Sequence, residues 1–212
     1  ADMVFTDPPY NVASESKNYA ANVSKAMNDL KNSKWDKNFN ISTFFETLML
    51  PLAKDCSVYI FTSHFLFGDI FKFLKDKFDF NNYCVWSKPN PMPSLSKRHW
   101  TWNTELCAYA TKGKHLFNFP LEGHSLSTWT ISKKSDGSHP TQKPIEICSI
   151  PINSSSKKNY IILDFFAGSG STLIASEQTG RKCYGMEIDP VYCDVIVKRW
   201  EQFTGKKAKL IK

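Results

Sequence analysis

Short runs of apolar residues alternate along this chain with longer segments in which apolar residues recur every three or four positions. The runs predict buried strands at residues 3–5, 57–61, 82–86, 105–110, 160–163 and 182–188. The periodic segments predict helices after residue 43 and at 67–78, 145–152, 171–178 and 191–203. Strands that alternate with helices are typical of a parallel, doubly wound sheet, so we expect an α/β fold with helices on both faces.

Two stretches do not fit this alternation. Residues 11–40 contain seven Asn and show no clear period, which predicts a long functional loop. The next helix is expected to begin at the capping box Thr43-x-x-Glu46 and to be limited by Pro51. Residues 111–138 are irregular, and we expect Trp129 and Phe117 to be core aromatics there.

Length and composition predict one globular domain. The 212 residues are 42% hydrophobic and 14% aromatic, which is enough for a sizeable core. No apolar run is long enough to span a membrane and no signal peptide is present, so we expect a soluble, cytoplasmic protein. Because the chain begins without Met and enters a strand at residue 3, we expect its N-terminus to be truncated.

The charge of the chain favours one class of partner, and the spacing of its cysteines argues against a metal site. The net charge is +7, and residues 88–143 contain eight Lys/Arg and three Asp/Glu, which favours contact with a polyanion. The six cysteines are scattered singly, without metal-ligand spacing, so we expect reduced thiols, mostly in the core, and no metal.

The segment Asp7-Pro8-Pro9-Tyr10 follows the first predicted strand. A nucleobase amine is a poor nucleophile because its lone pair is delocalised into the ring. Asp7 can accept one N–H and the Pro8 carbonyl the other, which draws the nitrogen toward a tetrahedral geometry, while Tyr10 stacks on the base. A simple rigid turn is the competing interpretation.

A second strand leads into Asp164-Phe165-Phe166-Ala167-Gly168-Ser169-Gly170-Ser171, a glycine turn that opens a helix. Glycines allow a ligand to approach the backbone closely. Leu173 stands where a dinucleotide-binding turn has its third glycine, so a nicotinamide cofactor fits poorly. At the end of the next strand, Glu187 is placed to accept both hydroxyls of a ribose. The segment from His139 to Pro144 offers polar groups suited to an amino-acid carboxylate, or is a polar turn.

The order of these motifs resembles the beta class of DNA amino-methyltransferases, over nearly the whole chain. The resemblance implies a circularly permuted, Rossmann-like (class I) methyltransferase fold, with S-adenosylmethionine as the methyl donor and double-stranded DNA as the substrate. It implies one domain with a catalytic half at 1–87, a target-recognition region at about 88–138 and a cofactor-binding half at 139–212. Where the family commonly has Pro, this chain has Phe165, and a Gly-Asp strand that normally precedes the catalytic one is missing.

Residue roles follow from the resemblance. The catalytic loop is Asp7, Pro8, Pro9 and Tyr10. The cofactor site is Asp164, Phe165, Phe166, Ala167, Gly168, Ser169, Gly170, Ser171 and Glu187, with His139, Thr141, Gln142 and Lys143 as a further wall. The DNA contacts expected in the recognition region and beside it are Lys88, Lys97, Arg98, Trp100, Lys112, Lys114, Lys133 and Lys134.

The resemblance leaves three readings of the activity open. Members with Asp at the first catalytic position mostly methylate adenine at N6, so we expect an adenine-specific enzyme of the restriction-modification type. The alternatives are cytosine-N4 methylation and a non-catalytic DNA-binding relic of the fold. Because the recognition region is short, a homodimer in which a second subunit aids DNA binding is a further expectation.

Overall fold

A seven-stranded sheet runs through the middle of the protein, in the order β5-β3-β4-β2-β1-β6-β7. The computed structural model describes residues 1–10, 39–91, 93, 98, 100–119, 126–133 and 142–211. The strands are β1 (Met3–Thr6), β2 (Cys56–Thr62), β3 (Phe80–Ser87), β4 (Thr104–Lys112), β5 (Thr128–Thr130), β6 (Ile161–Asp164) and β7 (Lys182–Gly185).

Strand β4 is antiparallel to both of its neighbours, β2 and β3, whereas the other pairings in the sheet are parallel. The sheet is therefore mostly parallel, as predicted, with one reversed strand inside it. The reversal has a simple origin, because the described residues between β3 and β4 form no helix that could return the chain to the edge where β3 began.

Helices cover both faces of the sheet. They are α1 (Ile41–Met49), α2 (Phe67–Lys77), α3 (Ile145–Ser155), α4 (Ser171–Gln178) and α5 (Pro190–Thr204). Phe44 of α1 and Ile70 of α2 pack with Val4 of β1 on one face. Ile147 of α3 and Ala175 of α4 pack with Phe5 of β1 on the other face. Successive β1 residues therefore serve opposite halves of the core, as the period of a strand requires.

The boundaries of several elements differ from the prediction. Helix α1 begins at Ile41 rather than at Thr43, because the Asn40 side chain accepts hydrogen bonds from the backbone N–H groups of Ser42 and Thr43 and is the N-cap. Strand β7 ends at Gly185, three residues early. The irregular stretch contains the unpredicted strand β5, which holds the buried Trp129. Phe117 is 39% exposed, so the expectation that it is a core residue was wrong.

All six cysteines are free, and Cys56, Cys84, Cys107 and Cys148 are buried, as predicted for reduced core thiols. Among the described residues, no group of His, Cys, Asp and Glu has the arrangement of a metal site. In the same part of the chain, no helix combines the length and apolar character that crossing a membrane would need.

Candidate active site

A cavity of about 1070 Å³ opens at the edge of the sheet where β1 and β6 end. These two strands are parallel neighbours, with Met3 opposite Ile162 and Val4 opposite Leu163, so the loops that follow them emerge side by side. The walls include Asp7 to Tyr10 from the first loop and Phe165 to Ser169 from the second. Two motifs more than 150 residues apart in the sequence thus share one cavity.

The carboxylate of Asp7 is held from two sides. The Tyr10 hydroxyl donates a hydrogen bond of 2.6 Å to Oδ1, and the Lys143 ammonium donates to Oδ2. Burial and the neighbouring Asp7 charge raise the pKa of Tyr10 well above its ordinary value, so its hydroxyl stays a donor at neutral pH. Pro8 and Pro9 are buried beside this pair.

Lys143 forms the centre of a network of charged side chains. Its side chain is 8% exposed, and its ammonium pairs with Glu105 Oε2 at 3.1 Å as well as with Asp7. Glu105 Oε1 in turn lies 2.6 Å from Lys88 Nζ. Burial lowers the pKa of Lys143, but Asp7 and Glu105 raise that pKa by more, so the ammonium stays protonated at neutral pH. Burial raises the pKa of Glu105, yet Lys143 and Lys88 outweigh it and hold that pKa at about 2.

The sequence did not point to Glu105 as a site residue. It lies on β4, and the reversal of that strand brings its first residues to the edge where β1 ends. A carboxylate inside a predicted strand, Thr104-Glu105-Leu106-Cys107, was the only available signal.

Asp164 lies at the end of β6, in the cavity wall, and is only 3% exposed. Its Oδ1 accepts hydrogen bonds from the Thr6 hydroxyl at 2.9 Å and from the Phe166 backbone N–H at 3.1 Å. Thr6 also accepts from the Phe165 N–H. Asp164 therefore ties the ends of β1 and β6 together.

The glycine turn is held by Glu187. The Gly168 N–H donates to one Glu187 oxygen at 2.7 Å, and the Asp189 N–H donates to the other at 2.9 Å. Gly168 and Gly170 have left-handed backbones, with φ of 52° and 80°. Gly168, Ser169, Ser171 and Glu187 line the cavity, whereas Gly170 lies against Ile196 of α5 and does not. Gly170 thus shapes the turn rather than the cavity surface.

The third predicted motif is only partly described. Gln142 and Lys143 are buried and line the cavity, while His139 and Thr141 lie outside the described residues. The Ser171 hydroxyl donates to the Lys143 carbonyl at 2.8 Å, which attaches this segment to the start of α4.

Other walls were not predicted. The start of α1 contributes Phe39, Asn40, Thr43, Phe44 and Thr47, and the stretch after β7 contributes Met186, Ile188, Pro190 and Tyr192. No signal in the sequence indicated that the polar residues Thr43 and Thr47 of α1 would line a cavity.

The predicted DNA contacts separate into three groups. Lys133 lines the cavity and is exposed, and Arg98 and Trp100 are also exposed. The side chain of Lys88 is 14% exposed and paired with Glu105, so it belongs to the internal network rather than to the surface. Lys97 and Lys134 lie outside the described residues.

Lys112 and Lys114 form the third group, and the structure does not bring them to the cavity. Lys112 ends β4 and is paired with Cys56, the first residue of β2. Because β4 is reversed, its carboxyl end reaches the edge of the sheet opposite the cavity. These two lysines therefore lie apart from the other predicted DNA contacts, and their role in DNA binding stays a prediction.

A group of exposed rings lies beside the loop after β2, and two of its members, His64 and Phe65, were not indicated by the sequence. The ring centroid of His64 is 3.8 Å from that of Phe65 and 4.7 Å from that of Trp102. Trp102 precedes β4 and His64 follows β2, so the rings lie at the edge of the sheet that also holds the cavity. Flat exposed rings are suited to stacking on nucleobases.

Comparison with known proteins agrees with this geometry. A family model described as DNA methylase matches residues 1–198. The chain is 30% identical over 227 residues to the type II methyltransferase M2.MboI of Moraxella bovis, covering 96% of this chain and 81% of the relative. It is 31% identical over 226 residues to the type II methyltransferase M2.DpnII of Streptococcus pneumoniae, covering 94% and 82%.

Solved structures are similar over the same length. The M1.HpyAVI complex with SAM superposes with a TM-score of 0.73 at 26% identity, covering 94% of this chain and 88% of that one. The cytosine-N4-specific PvuII DNA methyltransferase gives a TM-score of 0.71 at 16% identity, covering 96% and 83%, which is agreement of fold. The predicted methyltransferase fold is confirmed, and the chain belongs to the DNA methylase family.

Proposed function

We propose that this protein transfers a methyl group from S-adenosylmethionine to the N6 amine of an adenine flipped out of double-stranded DNA. The observation that carries the proposal is the shared cavity, in which the Asp7 carboxylate and the Gly168 turn line the same space. A methyl donor and an acceptor amine must meet within one enclosure for direct transfer.

Asp7 supplies the acceptor for the amine. Its two oxygens already accept from Tyr10 and Lys143, but a carboxylate has about four lone-pair positions, so an adenine N–H can be accepted as well. With the Pro8 carbonyl accepting the second N–H, the lone pair on nitrogen is freed from the ring. The proton leaves after the transfer, so no strong base is required.

The residues around the glycine turn suit the donor. Glu187 lies in the cavity wall and retains lone pairs for ribose hydroxyls, while Gly168 presents backbone without a side chain. Phe166 and Met186 offer apolar surface to an adenine ring. When bound, S-adenosylmethionine supplies an electrophilic methyl group on a sulfonium, and the protein needs only to align it with the amine.

The DNA would lie across the edge that carries Lys133, Arg98 and Trp100. Lys133 is exposed and lines the cavity, which is the position from which a cation could hold the backbone of a flipped nucleotide. The target-recognition region at about 88–138 would supply the base contacts, within a single domain.

Incubation with tritiated S-adenosylmethionine and duplex DNA, followed by digestion to nucleosides, tests the proposal. We expect the label in N6-methyl-2′-deoxyadenosine. Label in cytosine would instead assign cytosine-N4 specificity, and saturable S-adenosylmethionine binding without transfer to any duplex would contradict the catalytic function.

The Asp7→Ala variant tests the assigned role of the carboxylate. We expect methyl transfer to fall by at least about 100-fold, because the amine loses its acceptor, while the affinity for S-adenosylmethionine measured by calorimetry changes little. A parallel loss of cofactor affinity would mean that Asp7 belongs to the donor site rather than to the acceptor site.

A further inference from the structure

The charged network behind the catalytic loop connects residues from four parts of the chain. Lys88 follows β3, Glu105 lies on β4, Lys143 precedes α3 and Asp7 follows β1. The contacts run from Lys88 to Glu105, from Glu105 to Lys143 and from Lys143 to Asp7, and the Tyr10 hydroxyl completes them. The proposed reaction uses Asp7 and Tyr10 and leaves the other three without a role.

We propose that Glu105, acting through Lys143, is a positioning residue that holds the Asp7 carboxylate in place for the methyl transfer. The inference rests on the function proposed above, and it assigns Lys143 to the catalytic loop rather than to the carboxylate of the methyl donor.

The surroundings of Lys143 leave its ammonium little freedom. The ammonium lies 4.8 Å from the centroid of the Phe61 ring and 5.6 Å from that of Tyr10. The backbone carbonyl of Lys143 accepts a hydrogen bond from the Ser171 hydroxyl. Glu105 approaches from the side of β4 and Asp7 from the end of β1. A buried ammonium needs acidic partners, and these two acids meet that need from two directions.

The charges of the network balance, with two acids and two lysines. Replacing Glu105 with Gln would leave Lys88 and Lys143 as neighbouring cations without the acid between them, and Asp7, in contact with Lys143, would be the one acid left in the network. The two cations would repel, and Lys143 would be free to follow Asp7 instead of fixing it. The carboxylate would then lose its orientation although every atom that touches the adenine remains.

The test is single-turnover methyl transfer by Glu105→Gln, with the affinities for S-adenosylmethionine and duplex DNA measured separately. We expect the transfer rate to fall by about 10-fold or more, while both affinities stay within about 2-fold. The matched control is Glu201→Gln, the same change on α5, where Glu201 pairs with Lys207 at 2.9 Å on the surface. The control should transfer at the wild-type rate.

Two more variants keep the test decisive if Glu105→Gln does not fold. Glu105→Asp retains the charge and should recover part of the rate. Lys88→Gln combined with Glu105→Gln removes one charge of each sign, restores neutrality and should fold, yet remain slow because nothing holds Lys143. A wild-type rate in the folded double variant would overturn the proposal.

The two proposals fail in different ways. If the wild-type protein does not methylate adenine, the proposed function is wrong. If it does and Glu105→Gln transfers equally fast, only the positioning role is wrong. A loss confined to cofactor affinity would place the network in the donor site instead.

Discussion

Asp164 illustrates how a single buried carboxyl makes stability depend on pH. Burial raises its pKa from 3.8 to about 6, although hydrogen bonds from Thr172, Phe166 and Thr6 oppose the shift. Between those two values the folded protein keeps a proton that the unfolded chain has released. The free energy of unfolding contributed by this group therefore falls as the pH rises from about 4 to 6.

The Asp164→Asn variant should remove that dependence. One pKa unit corresponds to about 1.4 kcal/mol, and the unfolded chain has already released part of this proton at pH 4, so the stability difference between variant and wild type should shift by about 2 kcal/mol in favour of the variant between pH 4 and pH 7. Urea unfolding at several pH values measures it. A difference that stays constant with pH would show that Asp164 is ionised equally in both states.

The residues of the candidate site show which part of a site can be predicted. Asp7 and Gly168 lie in the segments that follow two predicted strands, and Glu187 lies at the end of a third, so their convergence followed from strand order alone. Glu105 gave no such signal. Its place depends on β4 entering the sheet in reverse between β2 and β3, and no local pattern in the sequence encodes that position.

At the scale of elements, the turn into α4 depends on Gly170. Its φ is 80°, and a Cβ there would lie 3.2 Å from side-chain carbons of Ile196. We expect Gly170→Ala to lower the free energy of unfolding by at least about 1–2 kcal/mol, because both the left-handed backbone and the close approach oppose a side chain. Chemical denaturation measures the change.

Two other glycines separate these causes. Gly205 has φ of 69° but open space around its Cβ position, so Gly205→Ala should report the backbone cost alone. Gly68 lies inside α2 without a positive φ, and a Cβ added there would have no other atom within 4 Å. Gly68→Ala should therefore raise the free energy of unfolding by about 0.5–1 kcal/mol. Equal losses in all three variants would contradict this explanation.

Element boundaries were predictable where one signal acted and not where two competed. Helix α4 was predicted at its exact bounds because Gly170 and Ser171 mark its start unambiguously. For α1, the sequence offers two N-caps, Asn40 and the Thr43 of the pattern Thr43-x-x-Glu46. Asn40 is the N-cap because its side-chain oxygen accepts hydrogen bonds from two backbone N–H groups. Strand β5 was not predicted, because three residues are too few to show a pattern and the strand is formed only by pairing with the distant β3.

At the scale of the whole molecule, the positive charge predicted to bind DNA is divided between opposite edges of the sheet. Lys133 lies at the cavity, and Lys114 follows β4 at the far edge. Net charge and the clustering of Lys/Arg in the sequence cannot separate them, because the separation arises from the direction of β4.

Lys133→Gln and Lys114→Gln test this division, since each removes one positive charge. We expect Lys133→Gln to weaken duplex binding several-fold and to reduce the slope of log affinity against log salt by about 1. Lys114→Gln should leave both unchanged. Binding isotherms at a series of salt concentrations provide the measurement, and equal losses would mean that overall charge, rather than location, governs binding.

Glu187 accepts a hydrogen bond from the backbone of Gly168 with one oxygen and from the backbone of Asp189 with the other, so its carboxylate joins the turn after β6 to the stretch after β7. This link would hold the proposed cradle for the methyl donor rigid, so that an arriving molecule would not have to order it. Association of the methyl donor should then be limited by its diffusion into the cavity. Small rigid competitors that bind this wall should lose only their own translational and rotational entropy, because no protein segment has to become ordered.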